Sequence, residues 1–452
     1  MSDDRAPAPA PAPILVSGAG LAALALLPFQ RPNLYALVYS RLHPEATPYE
    51  LGKLLRITLG DLALAAALSL LVVWVIRSGQ WRRLVALPAA VWAYLAVIVV
   101  AGLAAGAVKS TIKELVQSVE LFAAAYVVFA CVLGSRRKRA SAAVILLEVT
   151  ALMALVALVQ YLAGAPGHLV RAGFLDNNNL GVYMALVLPL ALGAGLAEER
   201  PWAQSSLLGL AAAGLLVTLS GGLLIAAVAG LVAAAALWSR KALAATAAAA
   251  AVVVLLVIPQ MPGGLRGRFG ALRVFASSGG QTVVTTRFRR WGAAVKLVRG
   301  NPFLGKGPGR FTAALAEYYG SGPAEKPAGN TADPAAWNVT ADEPGSFGMY
   351  NVTACETGLL GLGILMWVFA AAMGAGARAL GTVTRNGGRD RGLLCGAMGG
   401  VTGVLVAGIF GSPLVGGIWP VMVFMLALIG AIAADAEPRG ADAPMPTSAD
   451  GE

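Results

Sequence analysis

Long apolar runs alternate with short polar connections along most of the chain. A helix needs about 20 apolar residues to cross a bilayer, and shorter runs cross when flanking residues help. The runs lie near residues 14–29, 57–76, 83–104, 115–134, 141–163, 179–197, 205–220, 221–238, 242–259, 352–375, 392–411 and 416–434. This pattern predicts an all-α integral membrane protein with about twelve transmembrane helices. The two runs between 205 and 238 also fit one bent helix.

One long polar segment interrupts the apolar pattern. It covers residues 260–347, between the ninth and tenth runs. The predicted organisation is therefore a tail (1–13), nine membrane helices (14–259), a large external loop (260–347), three more membrane helices (348–434) and a second tail (435–452). Both tails are rich in Pro, Ala and polar residues, so we expect them to be disordered.

Composition supports the membrane class. The chain is 58% hydrophobic and 13% charged, whereas soluble domains carry about 25% charged residues. The net charge of +11 does not indicate nucleic-acid binding, because much of it lies at the ends of apolar runs, where it orients helices in a bilayer. The three cysteines and two histidines fit neither a disulfide framework nor a multi-histidine metal centre.

The short loops predict an orientation. If the N-terminus is inside, the inside loops carry more Lys and Arg than the outside ones, including the run "RRKR" at 136–139. The positive-inside rule then favours cytoplasmic termini and an external long loop. Mid-span charge is scarce, and Asp61 and Glu148 are exceptions without a clear partner in the sequence.

The stretch "TTRFRRWGAAVKLVRGNPFLGKGPGRF", residues 285–311, concentrates seven Lys and Arg in this loop. Its first half has helical apolar spacing, and Pro302 with the following glycines ends the helix in a tight turn. The apolar face comprises Phe288, Trp291, Val295 and Val298. Two explanations remain open: an interfacial helix whose cations reach lipid headgroups, or an anion-binding pocket. The pocket would use Arg287, Arg290, Lys306 and Arg310.

Three motifs resemble the bacterial O-antigen ligase and polymerase superfamily. The loop is similar to the family's "R-x-x-x-W … P-l-l-G-x-G-x-x-x-F", through Arg287, Trp291, Pro302, Gly305, Gly307 and Phe311. Upstream, "RAGFLDNNNLGVYMALVLPLALG" is similar to "G-x-f-x-n-p-N-x-x-a", through Gly173, Phe174 and Asn179. Downstream, "YNVTACETGLLGLG" is similar to "Y-L-x-x-x-x-E-x-G-l-x-G", through Tyr350, Glu356, Gly358 and Gly361. The motifs stand in the family's order.

The resemblance implies a metal-independent membrane glycosyltransferase that needs no cofactor. It would move an oligosaccharide from a polyprenyl-diphosphate carrier to an acceptor hydroxyl outside the bacterial cytoplasmic membrane. Membrane lipid, a flippase and a chain-length regulator are the implied partners, and nucleic acid is not one. Arginine suits the leaving diphosphate because its planar fork makes two-point contacts.

The candidate site residues follow from these motifs and from local pattern. Arg287 matches the family's loop arginine, Arg290 follows it by helix spacing, and Glu356 is the candidate carboxylate on the acceptor side. These three form the predicted catalytic set. The predicted substrate-binding residues are Arg171, Asp176, Asn179, Lys306, Arg310 and Tyr350. Each has a plainer alternative, such as a membrane anchor for Arg171, a turn for Asp176, a helix N-terminus for Glu356 and packing for Tyr350.

Two departures from the family pattern bear on the reaction. Phe347 stands where ligases usually have His, and Gly221 stands where the family often has Arg. Polymerase is therefore favoured over ligase. A transporter of polyprenyl-linked or anionic solutes and a non-catalytic envelope-assembly component are the other classes left open. A transporter typically shows broken helices, repeats and intramembrane charges.

Overall fold

A computed structural model describes most of the apolar part of the chain. The described residues are 13–29, 58–79, 87–164, 170–174, 177–197, 201–217, 221–253, 255, 283–321, 348–386, 388–411 and 418–436. Within these ranges the regular elements are helices and no strand occurs. The helices are α1 Ile14–Leu26, α2 Leu59–Ser78, α3 Ala89–Ala104, α4 Val108–Ser118, a π-helix Val119–Ala124, α5 Ala125–Val132, α6 Arg136–Leu162, α7 Asn177–Leu196, α8 Pro201–Val217, α9 Gly221–Trp238, α10 Arg240–Val252, α11 Val283–Gly300, α12 Phe311–Ser321, α13 Met349–Asn386, α14 Gly388–Phe410 and α15 Ile418–Ala436.

The helices confirm the predicted class, an all-α membrane protein. In the described part, seven helical stretches are long and apolar enough to cross a membrane, and four shorter apolar helices accompany them. Each of the twelve predicted apolar runs overlaps a helix. The helices on either side of residues 218–220 are described separately as α8 and α9, and those three residues lie outside the description.

The centre of the bundle is built from α7, α14 and α15, which are mostly buried, whereas α2 and α13 are mostly exposed. Glycines on α14 let it approach its neighbours closely. A β-carbon at Gly396 would lie 2.7 Å from the Leu190 Cα of α7, and one at Gly399 would lie 2.6 Å from the Gly230 carbonyl of α9. Small residues of this kind are typical of helix contacts in membranes, where backbone packing supplies much of the association energy.

Contacts between helix termini divide the bundle into two ends. At one end the start of α14 meets the ends of α7 and α9, and the Arg391 Nη2 donates to the Trp238 carbonyl at 2.7 Å. At the other end the start of α13 meets the end of α14, where the Met349 amide donates to the Gly411 carbonyl at 2.9 Å. We call these the Arg139 end and the Gly358 end, after a central residue of each.

A closed charge network occupies the Arg139 end. Arg139, on the first turn of α6, is fully buried. Its Nη2 lies 3.0 Å from the Asp390 Oδ2 of α14 and 2.9 Å from the Asp435 Oδ2 of α15, and its Nη1 donates to the Leu133 carbonyl at 3.3 Å. One guanidinium therefore joins three helices and the end of α5.

Asp61 and Glu148, the two charges singled out in the apolar runs, have different environments. Asp61 forms a capping box with Thr58 at the start of α2: its Oδ2 accepts the Thr58 amide at 2.8 Å, and its own amide donates to the Thr58 Oγ1 at 3.2 Å. This contact explains an acidic residue there, because a carboxylate satisfies free amides at a helix N-terminus. Glu148 is exposed on the face of α6.

Candidate functional site

Helix α13 is broken at Gly358. This residue has φ 73° and ψ −177°, which no helix tolerates, so α13 consists of two helical segments, 349–357 and 359–386. A β-carbon at Gly358 would collide with the Phe303 carbonyl. Both the positive φ and the close approach therefore require glycine.

The loop between α11 and α12 fills this break. Four main-chain hydrogen bonds join loop and helix: Lys306 N to Cys355 O at 2.7 Å, Gly307 N to Glu356 O at 3.0 Å, Leu359 N to Pro302 O at 2.8 Å and Leu360 N to Phe303 O at 3.4 Å. A break in a helix frees amides and carbonyls that cost free energy if they stay unpaired in a buried place. The loop supplies those partners, so the chain at 302–307 and at 355–360 forms one unit.

A small apolar core holds α11 and α12 against this unit. Its members are Ala293, Ala294, Leu297, Phe311, Ala314, Leu315 and Cys355. The predicted helix and its end before Pro302 are therefore observed. Its packed face overlaps the predicted one in part: Val298 packs against this core, whereas Val295 is 44% exposed and the alanines Ala293 and Ala294 are buried instead.

The Glu356 carboxylate caps α12. Its Oε1 accepts the Phe311 amide at 3.1 Å, and it also accepts a hydrogen bond from the Gly309 amide. An acidic group is stabilised at a helix N-terminus by the free amides and the helix dipole. Glu356 therefore fixes the loop to α13 through its side chain as well as its carbonyl.

A second carboxylate, Glu114, lies at the same turn. Its side chain belongs to α4 and packs against Gly309, where a β-carbon would lie 3.1 Å from the Glu114 Oε1. The Glu114 and Glu356 carboxylates are close enough to repel each other. Within the described part of the chain, the Glu114 carboxylate has no hydrogen bond or salt bridge. Glu114 was not among the predicted site residues. The fourth apolar run was placed at 115–134 and so begins one residue after Glu114.

A groove of about 530 Å³ opens beside this turn, between the end of α3 and the loop. Lys306 and Arg310 line it together with Ala104, Ala105 and Glu317. Lys306 is half-buried and Arg310 is exposed. The structure therefore brings together three of the predicted site residues, Glu356, Lys306 and Arg310.

Two other predicted residues belong to a different part of the Gly358 end. The amides of Arg171 and Ala172 donate to the Gln160 Oε1 at 3.0 and 3.1 Å, which ties this turn to α6. The Arg171 Nε is buried and has no hydrogen-bond partner in the described part of the chain. Asn179 is buried on α7. These contacts place Arg171 and Asn179 on the side of α6 and α7, away from α3 and α4.

Tyr350 has a packing partner. Its hydroxyl donates to the Leu405 carbonyl of α14 at 2.5 Å. This bond holds the first segment of α13 to α14, which agrees with the packing alternative for Tyr350.

The remaining predicted residues are only partly described. Asp176 and Phe347 lie outside the described residues, as do the side chains of Arg287 and Arg290. The backbone of α11 places Arg290 about 15 Å and Arg287 about 20 Å along the helix from Gly300, at a rise of 1.5 Å per residue. Lys306 and Arg310 thus lie on the loop, and the backbone positions of Arg287 and Arg290 lie in the first half of α11.

Among the described residues, no three His, Cys, Asp or Glu side chains are grouped as a metal site would require. No model of a known protein family matches the chain, and no curated protein matches it significantly.

Proposed function

We propose that this protein is a polysaccharide polymerase-type glycan transferase of the bacterial cytoplasmic membrane. One observation carries the proposal. Two of the motifs that resemble the O-antigen ligase and polymerase superfamily are about 50 residues apart in sequence, yet loop 301–310 and the break at Gly358 are held together by four main-chain hydrogen bonds. That unit gathers cations and carboxylates at a helix break, the kind of place where membrane proteins bind charged substrates.

The groove is the proposed donor site. A polyprenyl-diphosphate sugar releases a diphosphate when the sugar C1–O bond breaks, and nearby cations lower the barrier by stabilising the charge on that leaving group. Lys306 and Arg310 line this groove, and Arg310 directly precedes Phe311, whose amide donates to the Glu356 carboxylate. We assign the diphosphate to them, because the leaving phosphate and the acceptor hydroxyl must meet within a few ångströms.

The two carboxylates have different proposed roles. Glu356 already accepts two amide hydrogen bonds, so it holds the loop in place. Glu114 has its carboxylate unengaged by hydrogen bonds in the described part of the chain, and it is the proposed general base. It accepts the acceptor hydroxyl proton as the oxygen attacks C1, and the diphosphate departs with the bonding electrons.

Arg287 and Arg290 are proposed to bind the donor further from the reacting bond. Their positions on α11 are about 15–20 Å from Gly300, which suits contact with a different part of an extended lipid-linked oligosaccharide. The family resemblance favours Arg287 as an essential residue, and the proposed contact of Arg287 with the donor agrees with that expectation.

The proposal includes twelve membrane spans with both termini cytoplasmic and the Gly358 end facing outward. A topology reporter fused near Ala324 is expected to be external, and one fused near Gly388 is expected to be cytoplasmic. A reporter at 324 found inside the cell would contradict the external glycan reaction.

Reconstitution tests the function directly. The purified protein in vesicles, supplied with a polyprenyl-diphosphate-linked oligosaccharide, is expected to form polymer and release the lipid diphosphate. Arg287→Ala should abolish polymer formation at normal protein levels, and Arg287→Lys should restore it poorly, because an ammonium group lacks the planar two-point contact. The double variant Lys306→Ala, Arg310→Ala should lower polymer formation at least as much as Arg287→Ala does. If only the Arg287 variants lose activity, the diphosphate binds on α11 and the groove assignment is wrong.

The broken helix also favours a second class, a transporter of a lipid-linked or anionic solute, since discontinuous helices form many transporter sites. The same vesicles separate the two classes. A transporter would move the lipid-linked oligosaccharide across the bilayer without changing its length. A ligase would join the glycan to a different lipid or protein acceptor, and a non-catalytic assembly component would do neither.

A further inference from the structure

A second cavity lies at the Arg139 end, away from the candidate site. Its volume is about 570 Å³, and it is formed by α6, α13, α14 and α15. At its mouth are Arg136, Arg137 and Arg389. Its deeper walls are apolar and include Val144, Ile145 and Ile432. The cavity thus has a cationic mouth and a hydrocarbon-like interior.

The charges at the mouth do not cancel. Asp390 and Asp435 also line the cavity, but both are already paired with the buried Arg139 behind them. Among the described residues, and leaving Arg389 aside, the three arginines Arg136, Arg137 and Arg139 face the two aspartates, which leaves one positive charge in excess. Arg137 is exposed, and it forms no hydrogen bond or salt bridge within the described part of the chain. The excess is available to an anion.

The position of the cavity favours an anionic lipid over a soluble anion. It opens on the side of α6 where Val144 is 38% exposed, in a helix long and apolar enough to cross the membrane. A soluble anion would leave the apolar walls in contact with water, whereas a lipid covers them with an acyl chain. Basic pockets between membrane helices are known to bind anionic headgroups.

We propose that this cavity binds an anionic glycerophospholipid from the leaflet around the Arg139 end. The phosphate contacts Arg136 and Arg137, and one acyl chain lies against Val144, Ile145 and Ile432. Arg136 reaches the Asp390 Oδ2 at 3.2 Å and is 66% exposed, so it has room to contact a headgroup. The bound lipid would bridge α6 to the α14–α15 pair beside the Arg139 network.

Thermal unfolding of the full-length protein in a neutral detergent tests this site. Added phosphatidylglycerol is expected to raise the midpoint of unfolding, because a ligand that binds only the folded state stabilises it. Phosphatidylcholine and inorganic phosphate, each tested alone, should raise it little. An equal shift with phosphatidylcholine would show general solvation by lipid, and an equal shift with phosphate would show an anion site without a lipid. Either result overturns the proposal.

Variants test whether phosphatidylglycerol binds in this cavity. Arg136→Gln with Arg137→Gln should weaken the apparent affinity for phosphatidylglycerol roughly 30-fold, since each basic residue near an anionic headgroup contributes about a fivefold factor. Arg77→Gln is the matched control and should bind normally. Arg77 is exposed in the last turn of α2. The start of α2 packs on the end of α1 and the start of α1 contacts Lys138, so the end of α2 lies at the Arg139 end. Val144→Trp should weaken binding by filling the apolar part without a change in charge. Normal binding by both the double variant and Val144→Trp would place the lipid elsewhere.

Discussion

The two ends of the bundle contain buried charge in opposite arrangements. At the Arg139 end, a fully buried guanidinium is paired with Asp390 and Asp435 at 3.0 and 2.9 Å. At the Gly358 end, Glu114 and Glu356 repel each other, while Lys306 and Arg310 face an open groove. Charges that satisfy one another within the protein serve the fold. Charges that the fold leaves unpaired beside a groove are available to a ligand, and this difference is the reason for placing the candidate site at the Gly358 end.

The largest effect is expected from Arg139→Ala. Removing one partner of a buried ion network leaves charge uncompensated and costs about 3–5 kcal/mol. Asp435 is 41% exposed and regains water, so the lower part of that range is expected. Thermal unfolding and the yield of monodisperse protein in detergent measure the loss. Arg77→Ala is the control, and equal stability of the two variants would mean that the network does not hold α6, α14 and α15 together.

Gly358→Ala should have a smaller effect on stability and a large one on activity. An alanine at φ 73° and ψ −177° costs about 1–3 kcal/mol, and its β-carbon would also displace the Phe303 carbonyl. The loop should leave the break, and polymer formation should stop. Gly363→Ala is the matched control, because it lies in the same helix with open space around the added carbon. Full activity in Gly358→Ala would show that the loop–helix unit is not part of the site.

The smallest effect on stability is expected from Glu114→Gln. An amide keeps the size of the side chain and removes its repulsion with Glu356, so the unfolding midpoint should stay equal or rise slightly. Polymer formation should fall about 10²–10⁴-fold, the usual contribution of a general base.

Glu356→Gln provides the contrast. Its remaining carbonyl oxygen still accepts an amide hydrogen bond, so the loop should stay in place and activity should fall less than in Glu114→Gln. Rates at matched protein levels measure both variants. A larger loss in Glu356→Gln would reverse the two assigned roles and return Glu356 to the catalytic position that the sequence indicated.

The fold class followed from the sequence because the membrane imposes it. A chain crossing lipid must satisfy its main-chain hydrogen bonds internally, so long apolar runs become helices whatever their neighbours are. Every predicted run overlaps a helix for this reason. The end of α11 before Pro302 could be predicted for a similar reason. Proline and glycine determine the backbone within a few residues of their own positions, so the signal is local.

Only part of the candidate site could be predicted from the sequence. Glu356 was predicted from a motif, and Lys306 and Arg310 from the cluster of cations around the turn; the structure brings the three together. Glu114 could not be found this way, because it comes from a helix about 200 residues earlier and carries no motif of its own. The packing role of Tyr350 depends likewise on the Leu405 carbonyl of another helix.

The sequence by itself therefore determined the helices, their approximate limits and the loop rich in cations, since these depend on hydrophobicity and local stereochemistry. Only the tertiary structure decided which charges are paired and which stay apart. Arg139 and Lys306 are both cations close to apolar helices, and the sequence alone does not show which of them is paired within the protein. The difference comes from their neighbours in space: two aspartates from distant helices surround Arg139, whereas Lys306 is held by its backbone at a break in α13 with its side chain on the wall of a groove.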